Sequence, residues 1–353
     1  MKGLFIMIQK IILLMGLMVG FLISCGDDPS GGTPDLKNVE QWFYYLGFDP
    51  TEEIHAQIEQ SSYHMVVMEP IFNESNNADF PIADIVERYH SAKVPKLVLA
   101  YVDIGQAEEW RTYWRDGWKV GDPEWIIAND PDGWEGNYPV AYWHDDWREI
   151  WLGENGIMQG IVDVGFDGIY LDWVEAYSDE NVITAAAAAG VDPEQEMVWW
   201  VEDLANFARE QNPDFVVIGQ NAAELASNDD YVATIDAIAQ EQTWFDGAAD
   251  NNPSGDCPLP ATEADIETQA YLESLSAECL ELHNNFPDST LHMSSEEYVK
   301  DLSAAKARGL KIFTVDYTVQ ETNIQQVYAT SRSLGFVPFA SERALSIFVD
   351  PVN

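Results

Sequence analysis

Eight short apolar or aromatic runs recur along the chain, at residues 41–47, 65–70, 96–105, 168–174, 214–221, 237–244, 311–318 and 335–341. Each is nearly continuous in hydrophobicity, the pattern of parallel strands buried on both faces. Between them lie segments with helical spacing. Residues 52–60, 82–92, 194–211 and 295–308 place apolar side chains three and four positions apart, and Gly309 is a plausible stop for the last. This alternation predicts one α/β domain folded as a (β/α)8 TIM barrel. Two stretches break the rhythm: residues 110–160, long and loop-rich, and residues 246–294. They follow the third and sixth strands, so in a barrel both lie over the mouth, where loops build the site.

The N-terminal residues 1–24 read as an export signal, with Lys2 and Lys10 ahead of an apolar run from Ile11 to Leu22 that is short for a membrane span. The run ends in Leu22-Ile23-Ser24-Cys25, which resembles the bacterial lipobox, whose cysteine is diacylated and becomes the first mature residue. On this reading Cys25 is lipidated and residues 25–38, rich in Gly, Pro and Asp, form a flexible tether. The domain at 39–353 is then exported and anchored to a bacterial membrane by lipid alone, in the periplasm or at the cell surface. The alternative is an ordinary signal peptide with an incidental cysteine. Cys257 and Cys279 remain, an even number flanking one irregular segment of an exported chain, so a disulfide between them is expected, with unpaired thiols as the alternative.

The roughly 315 residues after the tether suit one large domain. With 46% hydrophobic and 12% aromatic residues, they can bury a substantial core. The formal charge is −44, and losing Lys2 and Lys10 takes it to −46. Such a surface repels nucleic acid and acidic polysaccharides and gathers cations. The acids are spread along the whole chain, which favours solubility in salty water as the cause of most of the charge.

The run Gly165-Phe166-Asp167-Gly168-Ile169-Tyr170-Leu171-Asp172-Trp173 stops at a carboxylate, Asp172, with Trp173 and Tyr177 close behind. At the mouth of a barrel that position is catalytic. The other strand ends supply Asp49, Glu69, Asp103, Glu175, Gln220, Asn221, Glu224, Glu241, Asp316 and Tyr317. With no Lys or Arg at those ends, a ring of carboxylates argues against a purely structural ion-pair network. Two carboxylates on different strands are the minimum equipment for glycoside hydrolysis. Eight of the 13 Trp fall between Trp110 and Trp151. They form either a platform for sugar rings, Trp143 among them, or the packing of a long insertion. There is no nucleophile elbow, phosphate loop or zinc-protease motif, and the six His lack ligand spacing, so neither metal nor cofactor is expected.

The chain resembles the endo-α-1,4-polygalactosaminidase family, glycoside hydrolase family 114, from about Trp42 to Ala344. The marks are Trp42-Phe43-Tyr44-Tyr45-Leu46, Leu99-Ala100-Tyr101-Val102-Asp103-Ile104-Gly105, the Gly165 to Asp172 run, Gly219-Gln220-Asn221-Ala222-Ala223-Glu224-Leu225, Gln240-Glu241, and Gly335-Phe336-Val337-Pro338-Phe339. The resemblance implies a TIM barrel cleaving α-1,4-linked galactosamine polymers, a cationic substrate when deacetylated. It implies Asp172 as nucleophile and Glu241 as acid/base, with retention expected. Glu224 is the alternative acid. Tyr44, Glu69, Asp103, Trp143, Trp173, Asn221, Trp244, Asp316 and Tyr317 are the remaining candidates for substrate contact, and the protein is expected to be a monomer. Where the family commonly reads Gly-Glu, this chain has Gly105-Gln106. Two further readings stay open: a glycosidase for another α-linked sugar, and a glycan-binding lipoprotein without catalysis.

Overall fold

The computed structural model describes residues 35–47, 51–70, 82–131, 133–286 and 289–352. The export signal, Cys25 and Asp49 lie outside the described residues. Eight strands form one sheet: β1 (Trp42–Tyr45), β2 (Met65–Met68), β3 (Leu97–Asp103), β4 (Gly168–Asp172), β5 (Val216–Gln220), β6 (Ala237–Glu241), β7 (Lys311–Tyr317) and β8 (Val337–Ser341). They pair in sequence order and all in parallel. The seam between β8 and β1 is bridged by the Trp42 indole N–H on the Val337 carbonyl (3.1 Å) and by the Leu46 N–H on the Leu345 carbonyl (2.9 Å). The result is a nearly closed TIM barrel, as the alternating pattern predicts. All eight expected strands are present.

The period-two geometry of a strand divides each one between barrel interior and helix layer. Trp42, Tyr44, Tyr101 and Tyr170 meet inside the barrel, with Tyr44 and Tyr170 ring centroids 4.9 Å apart. Ile169 and Leu171, the alternate residues of β4, are fully buried. Two glycines set the entry to β4. Gly165 ends helix Ile157–Val164 in the left-handed region at φ 95°, a conformation favouring glycine. Any Cβ on Gly168 would lie 2.3 Å from the Val216 carbonyl oxygen, so β4 and β5 approach closely only because it has none.

Residues 36–38, expected in the tether, form a 3-10 turn capped by Asp35, and the Lys311 ammonium donates to the Lys37 carbonyl at 3.0 Å. Among the described residues no helix is long and apolar enough to cross a membrane.

The insertion after β3 holds a hairpin of Gln106–Glu108 with Asn137–Pro139, then helices Asp145–Leu152 and Ile157–Val164. Its tryptophans form a run of indole contacts: Trp114–Trp118, Trp118–Trp125, Trp125–Trp147 and Trp147–Trp151, ending on Trp200 of helix Pro193–Arg209. Trp125, Trp147 and Trp151 are buried. The expected sugar platform is therefore mainly the core of the insertion. Trp147 and Trp151 sit four residues apart on one helix face, and that spacing was the available signal for burial. The insertion after β6 is held by a disulfide, Cys257–Cys279, between a short hairpin strand and helix Ala277–Asn285.

Candidate active site

Parallel register brings the ends of β3 to β7 to one level. Asp103 pairs with Asp172, Leu171 with Gly219, Gln220 with Ala239 and Glu241 with Val315. Immediately beyond β4, β5 and β6 the chain turns sharply through four non-glycine residues at positive φ: Trp173 (57°), Asn221 (57°) with Ala222 (48°), and Gln242 (53°). Each such residue costs of the order of 1 kcal/mol or more, and clusters of them are typical of functional sites.

At the centre stands the Gln220 side chain. Its Nε2 donates to Asp172 Oδ1 at 2.6 Å and to Glu241 Oε2 at 2.7 Å, so those two oxygens lie within the sum of these lengths, 5.3 Å. Its carbonyl oxygen accepts from the buried Tyr44 hydroxyl at 3.0 Å, which fixes which end of the amide faces the acids. Asp172 Oδ2 accepts from Tyr101 at 2.5 Å, and Oδ1 also accepts the Trp173 N–H at 2.8 Å. Glu241 Oε1 accepts from the Tyr317 hydroxyl and lies 3.5 Å from Arg343 Nη1. Asn221 Nδ2 joins Glu241 Oε2 (3.2 Å) to Glu175 Oε1 (2.9 Å), while Asn221 Oδ1 accepts from Gln240 and from the Glu241 N–H.

Burial, and then the charge of Glu241, push the Asp172 carboxyl up to about 7. Burial, and then the charge of Asp172, push Glu175 up to about 8. Acids this close titrate as a group and hold protons near neutral pH. One carboxyl able to keep a proton beside another able to attack is the equipment of a glycosidase.

Other expected residues have different surroundings. Glu69 is clamped by the Arg111 guanidinium, which also binds Glu108 through Nε at 2.6 Å. Burial lifts Glu69 to about 7 against the pull of Arg111. Asp103 is buried and caps the following turn, accepting from Gly105 N (3.1 Å) and Gln106 N (2.8 Å). Asp316 is fully buried and accepts the Trp244 and Phe245 N–H groups, so it shapes the loop after β6 and is closed to substrate. The Trp244 indole donates to Ser331 Oγ at 2.9 Å and packs on helix Glu321–Leu334 instead of the carboxylates. Trp143 packs edge-on to Tyr142 and does not enter the carboxylate network among the described residues. Trp173 is half-buried beside Asp172. Glu224 is exposed, accepts from Tyr177 at 2.5 Å and stays outside the Gln220 network.

The expectation of strand ends without basic residues fails in two places. Arg111 comes from the connection between the two strands of the hairpin that follows β3. Arg343 lies two residues past β8, stacked 4.4 Å from the Tyr317 ring centroid and 5.6 Å from that of Trp134. Trp134 is the most exposed indole of the Trp-rich segment that touches this network, at 39%. The end of β8 was the place to find Arg343. Gln106, where the family commonly has an acid, is buried and bonded to Asp130 (2.7 Å) and Asn137 (2.9 Å), which places the missing charge in the hairpin.

Residues 36–352 match glycoside hydrolase family GH114. The chain belongs to that family. An uncharacterised protein of Deinococcus radiodurans is 31% identical over 318 residues, spanning 90% of this chain and 85% of its own length. Among solved structures, the glycoside hydrolase domain of PelA from Pseudomonas aeruginosa superposes at TM-score 0.56 with 15% identity, covering 88% of this chain and 97% of that one. Ega3 of Aspergillus fumigatus, in complex with galactosamine, superposes at 0.55 with 15% identity, covering 90% and 96%. At such identity the superpositions show the shared barrel. GH114 membership makes the protein a glycoside hydrolase, with a polysaccharide substrate.

Proposed function

We propose that this GH114 enzyme cleaves α-1,4-linked galactosamine polymers with retention at the anomeric carbon, Asp172 acting as nucleophile and Glu241 as acid/base. The observation that carries the reading is the Gln220 amide, which holds oxygens of Asp172 and Glu241 within 5.3 Å. Retaining enzymes keep their two carboxyl groups about 5–5.5 Å apart, whereas inverting ones leave about 6.5–9.5 Å for a water. In the first step Asp172 attacks the anomeric carbon as Glu241 gives its proton to the departing glycosidic oxygen. In the second, Glu241 takes a proton from water, whose oxygen displaces Asp172 and restores both groups.

The proton needs an account, because burial raises the group that must be ionised, Asp172. A galactosamine bound for attack carries its ammonium on the carbon next to the anomeric centre. That charge favours the Asp172 anion, the form that attacks. A cationic polymer thus prepares its own catalyst, and the charge of −44 gathers it at the surface. The galactosamine bound in Ega3 supports the sugar class.

The proposal includes export, a lipid anchor at Cys25 and a monomeric enzyme. The disulfide between Cys257 and Cys279 supports an oxidising compartment. Release of reducing ends from α-1,4-galactosamine polymer, measured across a panel of α-glycans, tests the substrate. Azide rescue tests the roles: with Asp172→Ala the azide product is inverted, and with Glu241→Ala it is retained. Swapped outcomes would reverse the assignment. Turnover indifferent to salt over a wide range would remove the link between charge and substrate. Cys25→Ser tests the anchor, moving the protein from the membrane to the soluble fraction.

A further inference from the structure

Helix Ala277–Asn285 supplies His283, the turn Thr290–His292 supplies His292, and the segment just before helix Gln269–Leu272 supplies Glu267. One ligand atom from each of these three side chains lies within 4.8 Å of the other two. These positions are 16 and 9 residues apart, so no short motif announces them. The spacing gave no reason to expect a zinc site, and the fold brings the two histidines together.

The His292 ring is oriented for a ligand. Its Nε2 lies 3.0 Å from the His283 carbonyl oxygen, which can only accept, so the proton sits on Nε2. Nδ1 is left with its lone pair, 3.9 Å from Glu267 Oε1. Metal-bound histidines are commonly held this way, by a carbonyl on the nitrogen that does not ligate. His283 is 5% exposed, with its ring centroid 4.1 Å from that of His292. Neither of its ring nitrogens makes a hydrogen bond of normal geometry, although the Asn284 side chain is beside it. Buried polar groups left so are uncommon and ask for an explanation.

We propose that Glu267, His283 and His292 form a structural site for a borderline divalent cation, with zinc the fitting ion. Two imidazoles and a carboxylate suit zinc, whereas calcium and magnesium take oxygen ligands. Ligand atoms on one zinc sit about 2 Å from it, so the group must draw in. The carboxylate is the member free to do so, since the Glu267 side chain is 73% exposed.

Such a staple would add to the cross-links of the insertion. Its own apolar cluster is small, gathered around Leu259, Tyr271, Leu275, Leu282 and Leu291. The disulfide joins the hairpin to helix Ala277–Asn285, and the ion would join that helix to the two turns on either side. One of those turns reaches back to the barrel, where Thr290 Oγ1 donates to Asp246 Oδ2 at 2.5 Å, five residues beyond Glu241. The site would therefore steady the loop that follows the catalytic strand without touching the chemistry.

The whole protein, stripped with EDTA and titrated with zinc chloride by calorimetry, is expected to bind one Zn2+ per chain, with a higher unfolding temperature when loaded. Glu267→Gln changes an exposed side chain and keeps the wild-type circular dichroism. It weakens binding by about tenfold or more. His292→Ala abolishes the rise in unfolding temperature. Asp172→Asn binds zinc like wild type, which separates this site from the acidic mouth. The proposal falls if zinc does not bind saturably, or if Glu267→Gln and His292→Ala leave binding unchanged.

Discussion

On one side of the barrel mouth, Glu69 and Glu108 share the guanidinium of Arg111. On the other, Asp172 and Glu241 share the amide of Gln220. Both groups are acidic, largely buried and close to strand ends, and burial raises a carboxyl to about 7 in each. The difference lies in what sits between the acids. A guanidinium supplies a full charge and five donors in a fixed fork, which settles the acids as an ion-paired joint. An amide supplies two donors and no charge. It holds the oxygens in place and leaves the repulsion between them to be relieved by a proton, which is what acid/base chemistry requires. Buried acidity alone does not mark a catalytic site: Arg111 binds both of its acids, whereas between Asp172 and Glu241 there is only the amide, and Arg343 meets Glu241 at its other oxygen.

The sharpest way to break this comparison is to remove an acid from the amide-bridged group. Asp172→Asn is expected to lower kcat on galactosamine polymer by about 10⁴-fold while the folded barrel keeps its circular dichroism. A loss of only a few fold would return Asp172 to a binding role. Replacing the bridge comes next: Gln220→Leu keeps both acids and removes the donor common to them, with an expected fall in kcat of about 10²-fold. Arg111→Met, on the other side, should do the reverse. It leaves Glu69 and Glu108 buried without their cation, so urea denaturation should show a loss of about 3–5 kcal/mol. Turnover per folded molecule should stay within about threefold of wild type, since Arg111 touches neither Asp172 nor Glu241 in the hydrogen-bond network. An Arg111→Met enzyme that is stable but inactive would erase the distinction.

The barrel was legible because its strands are buried on both faces, which writes a run of apolar residues that no surface element shares. Asp172, Gln220, Asn221 and Glu241 were legible for a related reason: each is the polar residue at which such a run stops. What closes around them was not. Arg343 arrives by closure of the barrel, about 100 residues beyond Glu241 in the chain, and nothing local ties the two together. Tyr101 is one more apolar-looking residue inside β3 until the fourth strand is laid beside it. Composition misled at the tryptophans. An indole is as useful for packing as for stacking on a sugar, and only spacing separates the uses. The zinc candidate is invisible in the sequence for the same physical reason as Arg343, since its three side chains meet only after the insertion folds.

The smallest effect concerns stability against pH, and it asks whether the two groups of acids differ in their protons as well as their partners. Glu69, Asp172 and Asp316 are each pushed up to about 7, and Glu175 to about 8, burial being the first cause in every case. A raised carboxyl binds its proton more tightly in the folded state than in the unfolded one. Its contribution is therefore full below the unfolded pKa near 4 and fades as pH rises through 7 to 8. The protein should be more stable at pH 5 than at pH 8, each group changing the unfolding free energy by at most about 1.4 kcal/mol per pH unit. Repulsion among surface acids acts in the same direction but is screened, so the measurement belongs in high salt. Glu175→Gln keeps the shape and removes one titration, and it should flatten the decline across the whole interval from about pH 5 to 8, most visibly above about pH 7, where the other three groups have already lost their protons. A urea denaturation series at fixed salt reads this directly. Were Glu175→Gln to follow the wild-type curve across that interval, the group around Asn221 would be holding its acids ionised, and the proton proposed for Glu241 would need another source.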